Sequence, residues 1–175
     1  MSKDLNIRPT SEDDIAALQD IEISAGKAFL KIDGLQSLGA DSCAAQEQHL
    51  AAIATQTSWI AEVRGRAAAG FLAGSPVGSS LHVDEISVRS DYQKQGIGRA
   101  LMEHAEAQAR WLGLSELTLT TFRHVNWNAP FYEKLGFQIL SEEDLCERLA
   151  GILAMERALG LPAPEQRCAM QKRLR

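Results

Sequence analysis

The sequence lacks the features that would place it in several large classes. No apolar run approaches the roughly 20 residues needed to cross a bilayer, and the opening "MSKDLNIRPT" has no apolar signal core. The reading is therefore a cytoplasmic chain with no membrane partner. Only three cysteines occur, Cys43, Cys146 and Cys168; they are far apart, none forms a CxxC pair, and the four histidines show no metal-ligand spacing. No metal is expected, and the thiols read as structural or incidental. Basic residues are not in excess: the formal charge is −5, which disfavours a nucleic-acid partner. There is no internal repeat, low-complexity tract or linker, so one domain is expected over residues 1–175.

What is present reads as alternating strands and helices. "LNIRP" (5–9) is a short strand stopped by proline. Thr10 or Ser11 caps a helix whose first turn carries Glu12, Asp13 and Asp14, with Ile15, Leu18, Ile21 and Glu22 at helical spacing. "KIDGLQSLGADS" is a connection and "CAAQEQHLAAIATQ" a second helix. Strands 58–63 and 67–74 flank a tight "RGR" turn, "SPVGSS" is a loop, and "LHVDEISV" (81–88) is the next strand. A long helix over 97–112 ends at Gly113. Strand 116–121, a short helix 128–135, strand 137–140, a helix over 143–159 and a last strand "RCAMQKRL" complete the order βααβββαβαβαβ. Hairpins mixed with crossovers imply an α/β (α+β) fold, a mixed, mostly antiparallel sheet with helices on both faces.

The segment "DYQKQGIGRALM" puts Gly96 and Gly98 at the start of the long helix. A helix leaves its first N–H groups unpaired at the positive end of its dipole, and glycines let an anion approach them. Alone, a Gly-x-Gly there is equally a plain turn. It is not a Walker A loop, since GK[ST] is missing, nor a Rossmann fingerprint, since the third glycine is missing. In context, "ISVRSDYQKQGIGRALM" together with "NAPFYEKLGF" resembles the acetyl-CoA motif and a second segment of the GNAT family of N-acetyltransferases. The element order agrees along the whole chain. In motif the sequence is nearest to the small-amine members, of arylalkylamine and polyamine type.

That resemblance implies the GNAT fold, with the sheet splayed between its fourth and fifth strands, and acetyl-CoA as co-substrate. The pyrophosphate would rest on N–H groups of Gln93, Lys94, Gln95, Gly96, Ile97, Gly98 and Arg99. Pantetheine would run beside Ile86, Ser87 and Val88, with an N–H near Ile86 polarising the thioester carbonyl. Phe131 and one of Asn126 or Asn128 would also contact the cofactor. The family's usual asparagine falls where this chain has Val125. Tyr132 would protonate the leaving thiolate.

Acetylating an amine requires a base, because an alkylammonium with pKa near 10.4 has no lone pair. Strict alternation along 81–88 puts His82, Asp84, Ile86 and Val88 on one face and Val83, Glu85 and Ser87 on the other. His82 and Asp84 align with the HxH of arylalkylamine enzymes, and Asp84–Glu85 with the acidic pair of spermidine/spermine enzymes; neither pattern is complete. The base candidates are ranked Asp84, His82, Glu85, each also open to a role as a solvated or ion-paired group. Trp127 either walls a substrate or belongs to the core. Phe29, Leu30 and Leu35 suggest a partly apolar acceptor pocket, and Arg167, Lys172, Arg173 and Arg175 a solvated strand face. The leading function is N-acetylation of a small-molecule primary amine. The alternative is a protein lysine or N-terminal acetyltransferase, and a third class is a non-catalytic acyl-CoA binder. Dimers are common in the family, so a homodimer is open to this chain.

Overall fold

In the computed structural model, residues 5–39, 43–63 and 67–174 are described. Seven strands form one sheet in the order β1-β2-β3-β4-β5-β7-β6. They are β1 (Leu5–Pro9), β2 (Ser58–Val63), β3 (Ala67–Val77), β4 (Ser80–Val88), β5 (Glu116–Phe122), β6 (Gln138–Ile139) and β7 (Arg167–Arg173). The helices are α1 (Ile15–Gly26), α2 (Gln46–Ala54), α3 (Ile97–Trp111), α4 (Ala129–Glu133) and α5 (Glu147–Ala158). The expected order holds. The "RGR" turn lies outside the described residues, as do residues 40–42 of the α1–α2 connection and Arg175.

Each face of the sheet carries its own apolar cluster. On one, Ile97, Leu101, Met102, Ala105 and Ala109 of α3 recur at helical spacing and bury against Leu72, Leu81, Val83, Leu117, Leu119 and Met170. Ala129 and Tyr132 of α4, with Phe137, complete that layer. On the other, Leu18 and Ile21 of α1 and Ala52 of α2 bury against Ile60, Phe71 and Ala73. α5 also lies on this second face, because its Arg148 and Glu156 bond Thr118 and Thr120, which alternate with the inward Leu117 and Leu119. A capping box between Ser11 and Asp14 closes the 3-10 turn Glu12–Asp14 that leads into α1. Arg8 grips Asp14 through two bonds of 2.8 Å and holds its carboxyl near pKa 2.

Two expectations are corrected. "SPVGSS" is not a loop: β3 continues to Val77 and β4 begins at Ser80, so only Gly78 and Ser79 turn, with Gly78 at φ +59°. Residues 143–159 are not one helix, but a single 3-10 turn at Glu142–Asp144 followed by α5.

One junction positions the site. β4 and β5 run parallel and pair only at Ser80↔Glu116, Leu81↔Leu117 and His82↔Thr118. Beyond His82 they part, and β4 keeps β3 alone as neighbour. The result is a V that opens toward the start of α3.

Candidate active site

At the apex of the V, β4 carries a bulge. Glu85 pairs with Ala73 and Val83 with Gly74, leaving Asp84 as an extra residue. The bulge shifts the alternation by one. Leu81 and Val83 before it, and Ile86 and Val88 after it, all pack on the α3 cluster. The strict period of two is thereby corrected: Ile86 and Val88 do not share a face with His82, and Glu85 does not share one with Val83. Glu85 and Ser87 stand opposite Ala73 and Phe71, on the face of α1 and α2. Asp84 accepts a hydrogen bond of 2.6 Å from Ser75, the residue paired with His82. The acidic pair and His82 thus share the α1, α2 and α5 side.

These three groups differ in protonation. Burial pushes the Glu85 carboxyl up to about 7; the Ser87 hydroxyl, which donates to it at 2.6 Å, and Arg167 oppose the shift, while Glu22 and Asp84 add to it. Asp84 is solvent-exposed at the bulge, yet the surrounding protein raises its carboxyl, against Ser75 and Arg148. His82 is 5% exposed, bonded through Nδ1 to Thr118 Oγ1 at 2.9 Å. Burial and then Arg148 lower its pKa to about 4, so it is neutral at physiological pH.

Tyr132 enters from the other side of the V. It is 7% exposed, and its ring stacks edge-on with Phe131 at 5.1 Å and Phe137 at 5.8 Å. Burial and then the Glu85 charge raise its phenol above the ordinary value of 10.

The open edge of β4 has a defined polarity. Arg89 N–H donates to Ala69 C=O at 2.9 Å, which makes that pair hydrogen-bonded in the antiparallel ladder. By alternation Ser87 and Glu85 turn their backbone groups toward β3, and Ile86 and Val88 turn theirs to the unpaired side. The Gln93 side chain donates to Val88 C=O at 3.1 Å, as that direction requires.

Past β4 the chain makes a 3-10 turn at Ser90–Tyr92 and reaches α3 through Lys94 at φ +60° and Gly96 at φ +85°. Gly96 is the N-cap, and its C=O accepts the first helical bond, from Ala100, at 3.0 Å. The backbone N–H groups from Gln93 to Arg99 have no acceptor among the described residues. Gly98 faces Phe131: a Cβ there would sit 3.5 Å from Phe131 Cζ, an ordinary van der Waals contact. This is how α4 seats against α3.

The remaining expected residues spread more widely. Asn128 is half-buried and caps α4 through its carbonyl, which accepts from Phe131 and Tyr132 at 2.8 and 3.1 Å; Asn126 is exposed. Val125 is buried with Leu35 and Phe122. Trp127 is 42% exposed and meets Phe29 edge-on at 5.8 Å, so it lies at a surface rather than in the core. Phe29 and Leu35 join this patch, but Leu30 is 51% exposed. The C-terminal basic residues are not all solvated: Arg167 pairs with Glu156 at 2.6 Å and Lys172 with Glu106 at 2.5 Å.

Sequence reasoning missed Arg148, and it gave Glu22 and Arg167 no place near β4. Glu22 carried a signal, a carboxylate on an otherwise apolar helix face. It is 9% exposed, 3.2 Å from His49 Nε2 and bonded by Ala44 N–H at 2.5 Å.

A family model described as "Acetyltransferase (GNAT) domain" matches residues 54–139, the stretch that holds the bulge, the open edge, the glycine turn and Tyr132. The chain has the GNAT fold, and just under half of it is similar to that family's domain. The PaiA N-acetyltransferase of Thermoplasma acidophilum, solved with coenzyme A, superposes with a TM-score of 0.70 at 19% identity over 99% of both chains. Over 70 residues the chain is also similar to tRNA(Met) cytidine acetyltransferase TmcA of Aeropyrum pernix, 41% identical over 39% of this chain and 10% of that protein. N-acetyltransferase family 8 member 3 of Rattus norvegicus is 32% identical over 48% of this chain and 39% of its own length. The matched part of this chain therefore spans a tenth to about two fifths of those two relatives. Among the described residues no His/Cys/Asp/Glu group is arranged for a metal, and no helix is long and apolar enough to cross a membrane.

Proposed function

We propose that this chain is an acetyl-CoA-dependent N-acetyltransferase acting on a small primary amine, with the whole chain as one catalytic domain. The observation that carries the reading is continuous: free N–H groups at Gln93–Arg99 lead along the open edge of β4 to a carboxyl held near pKa 7. The donor set fits the co-substrate. A diphosphate matches N–H groups at a helix N-terminus, and an amide-bearing arm matches an unpaired strand edge. Gln93, Lys94, Gln95, Gly96, Ile97, Gly98 and Arg99 would hold the first, and Ile86, Ser87 and Val88 would line the second, with Phe131 packed against Gly98 and Asn128 beside it. Bound there, acetyl-CoA supplies an activated thioester.

The chain's own residues supply the rest. Glu85, ionised in half the molecules near pH 7, takes a proton from the substrate ammonium directly or through water. The Ile86 N–H, turned to the open side, would be the donor available to a thioester carbonyl oxygen placed along that edge. Tyr132, kept protonated by burial, holds the proton that the departing sulfur needs. Glu85 displaces Asp84 and His82 as the preferred base. His82 is neutral but buried against Thr118, and Asp84 is turned to Ser75. A small acceptor is favoured because α1, α2 and α5 stand over the same face and narrow the approach.

Calorimetry with coenzyme A, followed by thiol release with acetyl-CoA and a panel of amines and peptides, tests the reading. Binding with turnover of small amines is expected. Turnover confined to peptides would favour a protein substrate, and binding without turnover on any acceptor would leave a non-catalytic acyl-CoA binder.

A further inference from the structure

Two arginines reach the acceptor face of the sheet and are held differently. Arg167 is fully occupied: its Nε and Nη2 bond Glu156 at 3.0 and 2.6 Å, Nη2 also reaches Thr120 at 3.2 Å, and the guanidinium lies 4.6 Å over the Phe122 ring. Arg148, in the first turn of α5, makes one hydrogen bond, from Nη2 to Thr118 Oγ1 at 3.0 Å. No carboxylate oxygen lies within 4.0 Å of it among the described residues. Its charge is nonetheless felt by both His82 and Asp84.

The location is what matters. Thr118 is the last β5 residue paired with β4, so the guanidinium stands at the apex of the V on the side from which an amine must approach. It is half-buried, with most of its five N–H donors aimed at no protein acceptor. A half-buried guanidinium with one neutral partner is poorly compensated, and its planar fork matches a carboxylate bidentately. Glu85, farther along the open half of β4, suits the ammonium.

We propose that Arg148 binds a carboxylate of the acceptor, so that the substrate carries an amine and a carboxylate together, as amino acids do. This rests on the acetyl-transfer reading above. It also narrows that reading, because a polyamine would bring a second cation toward Arg148.

The test uses matched pairs that differ only in the carboxylate: phenylalanine and phenethylamine, lysine and cadaverine, β-alanine and ethylamine. O-phosphoethanolamine is added as a phosphate arm. Thiol release should favour the carboxylate member at least tenfold in kcat/KM in one or more pairs. Arg148→Ala should raise KM for that member by about 10- to 100-fold with kcat little changed, so that the ratio within the pair collapses toward one. Arg148→Lys should recover part of it. Melting temperatures establish that the variants are folded.

Equal or better use of the decarboxylated amine in every pair overturns the proposal while leaving acetyl transfer intact. So does preference for the phosphate arm, or an Arg148→Ala loss shared equally by both members, which is the mark of a structural role. If coenzyme A binds but no amine turns over, calorimetry of each pair onto the coenzyme A complex decides. Stronger binding of the carboxylate member, lost in Arg148→Ala, supports the proposal, and its absence overturns it. If coenzyme A does not bind, the acetyl-transfer reading falls and this inference with it.

Discussion

The two halves of β4 are one strand under two regimes. From Ser80 to His82 it is paired on both sides, and its polar side chains are buried and satisfied: Ser80 bonds Glu116, and His82 bonds Thr118. From Val83 onward only β3 accompanies it, and there the strand carries a bulge, an exposed aspartate and a glutamate with a displaced pKa. The difference teaches that closing a strand edge silences its side chains, whereas opening it leaves backbone donors and a titrating group facing one space. The chemistry should therefore depend on the open half and be nearly indifferent to the closed one.

Glu85→Gln is the largest expected break. A positioned base is worth about 10²–10⁴-fold in rate, and kcat/KM at pH 8 should fall within that range. In the wild type, kcat/KM should rise with pH through a midpoint near 7, and the variant should lose that limb. Stability moves the other way. A carboxyl whose folded pKa is raised above its ordinary 4.5 favours the folded state below that value, and loses the contribution as pH rises through about 7. Glu85→Gln should thus melt higher than wild type at pH 8 and about equally at pH 4.5. An unchanged pH profile would remove Glu85 as the base.

Tyr132→Phe should have a smaller effect, about 10- to 100-fold in kcat, with little change in coenzyme A affinity. The phenol stands across the V from the strand edge, and its ring packing with Phe131 and Phe137 survives the change. Unchanged turnover would remove its role as acid.

The same contrast explains what could be read from the sequence. Strands and helices followed from periodicity, glycine punctuation and a capping Thr10 or Ser11 before three acidic residues, since each is a local property. The turn into α3 with its unpaired N–H groups was legible because Gly96 and Gly98 mark a backbone feature. The bulge was not: "LHVDEISV" alternates in the residue string, and only pairing with Ala73 and Gly74 shows that Asp84 is extra. That single residue reassigns Glu85, and with it the choice of base. Arg148 and Arg167 are illegible for another reason. They reach the site from α5 and β7, far along the chain from β4, and nothing in their own segments says which strand they will face. The "SPVGSS" loop failed because Pro76 and two serines suggest a turn, while pairing with β4 keeps the chain extended to Val77.

His82 gives the smallest expected effect and the sharpest test of the contrast. It sits next to the bulge and matches a histidine position of related enzymes, so motif reasoning alone gives it a proton-transfer role. Its surroundings do not. The ring is 5% exposed, bonded to Thr118, and neutral down to about pH 4. A base with that pKa holds almost no protons at pH 7 and is too weak to take one readily from an ammonium. His82→Gln keeps a side chain able to bond Thr118, so the midpoint of kcat/KM near pH 7 should stay where it is. What should change is acid stability. A histidine whose folded pKa is depressed stabilises the fold above its ordinary 6.5, and that contribution is lost as pH falls toward 4. Urea titrations of wild type and variant between pH 7 and 4 should therefore converge as the pH drops. If the rate profile shifts instead, the closed half of β4 takes part in proton transfer, and the division of the strand at His82 is drawn in the wrong place.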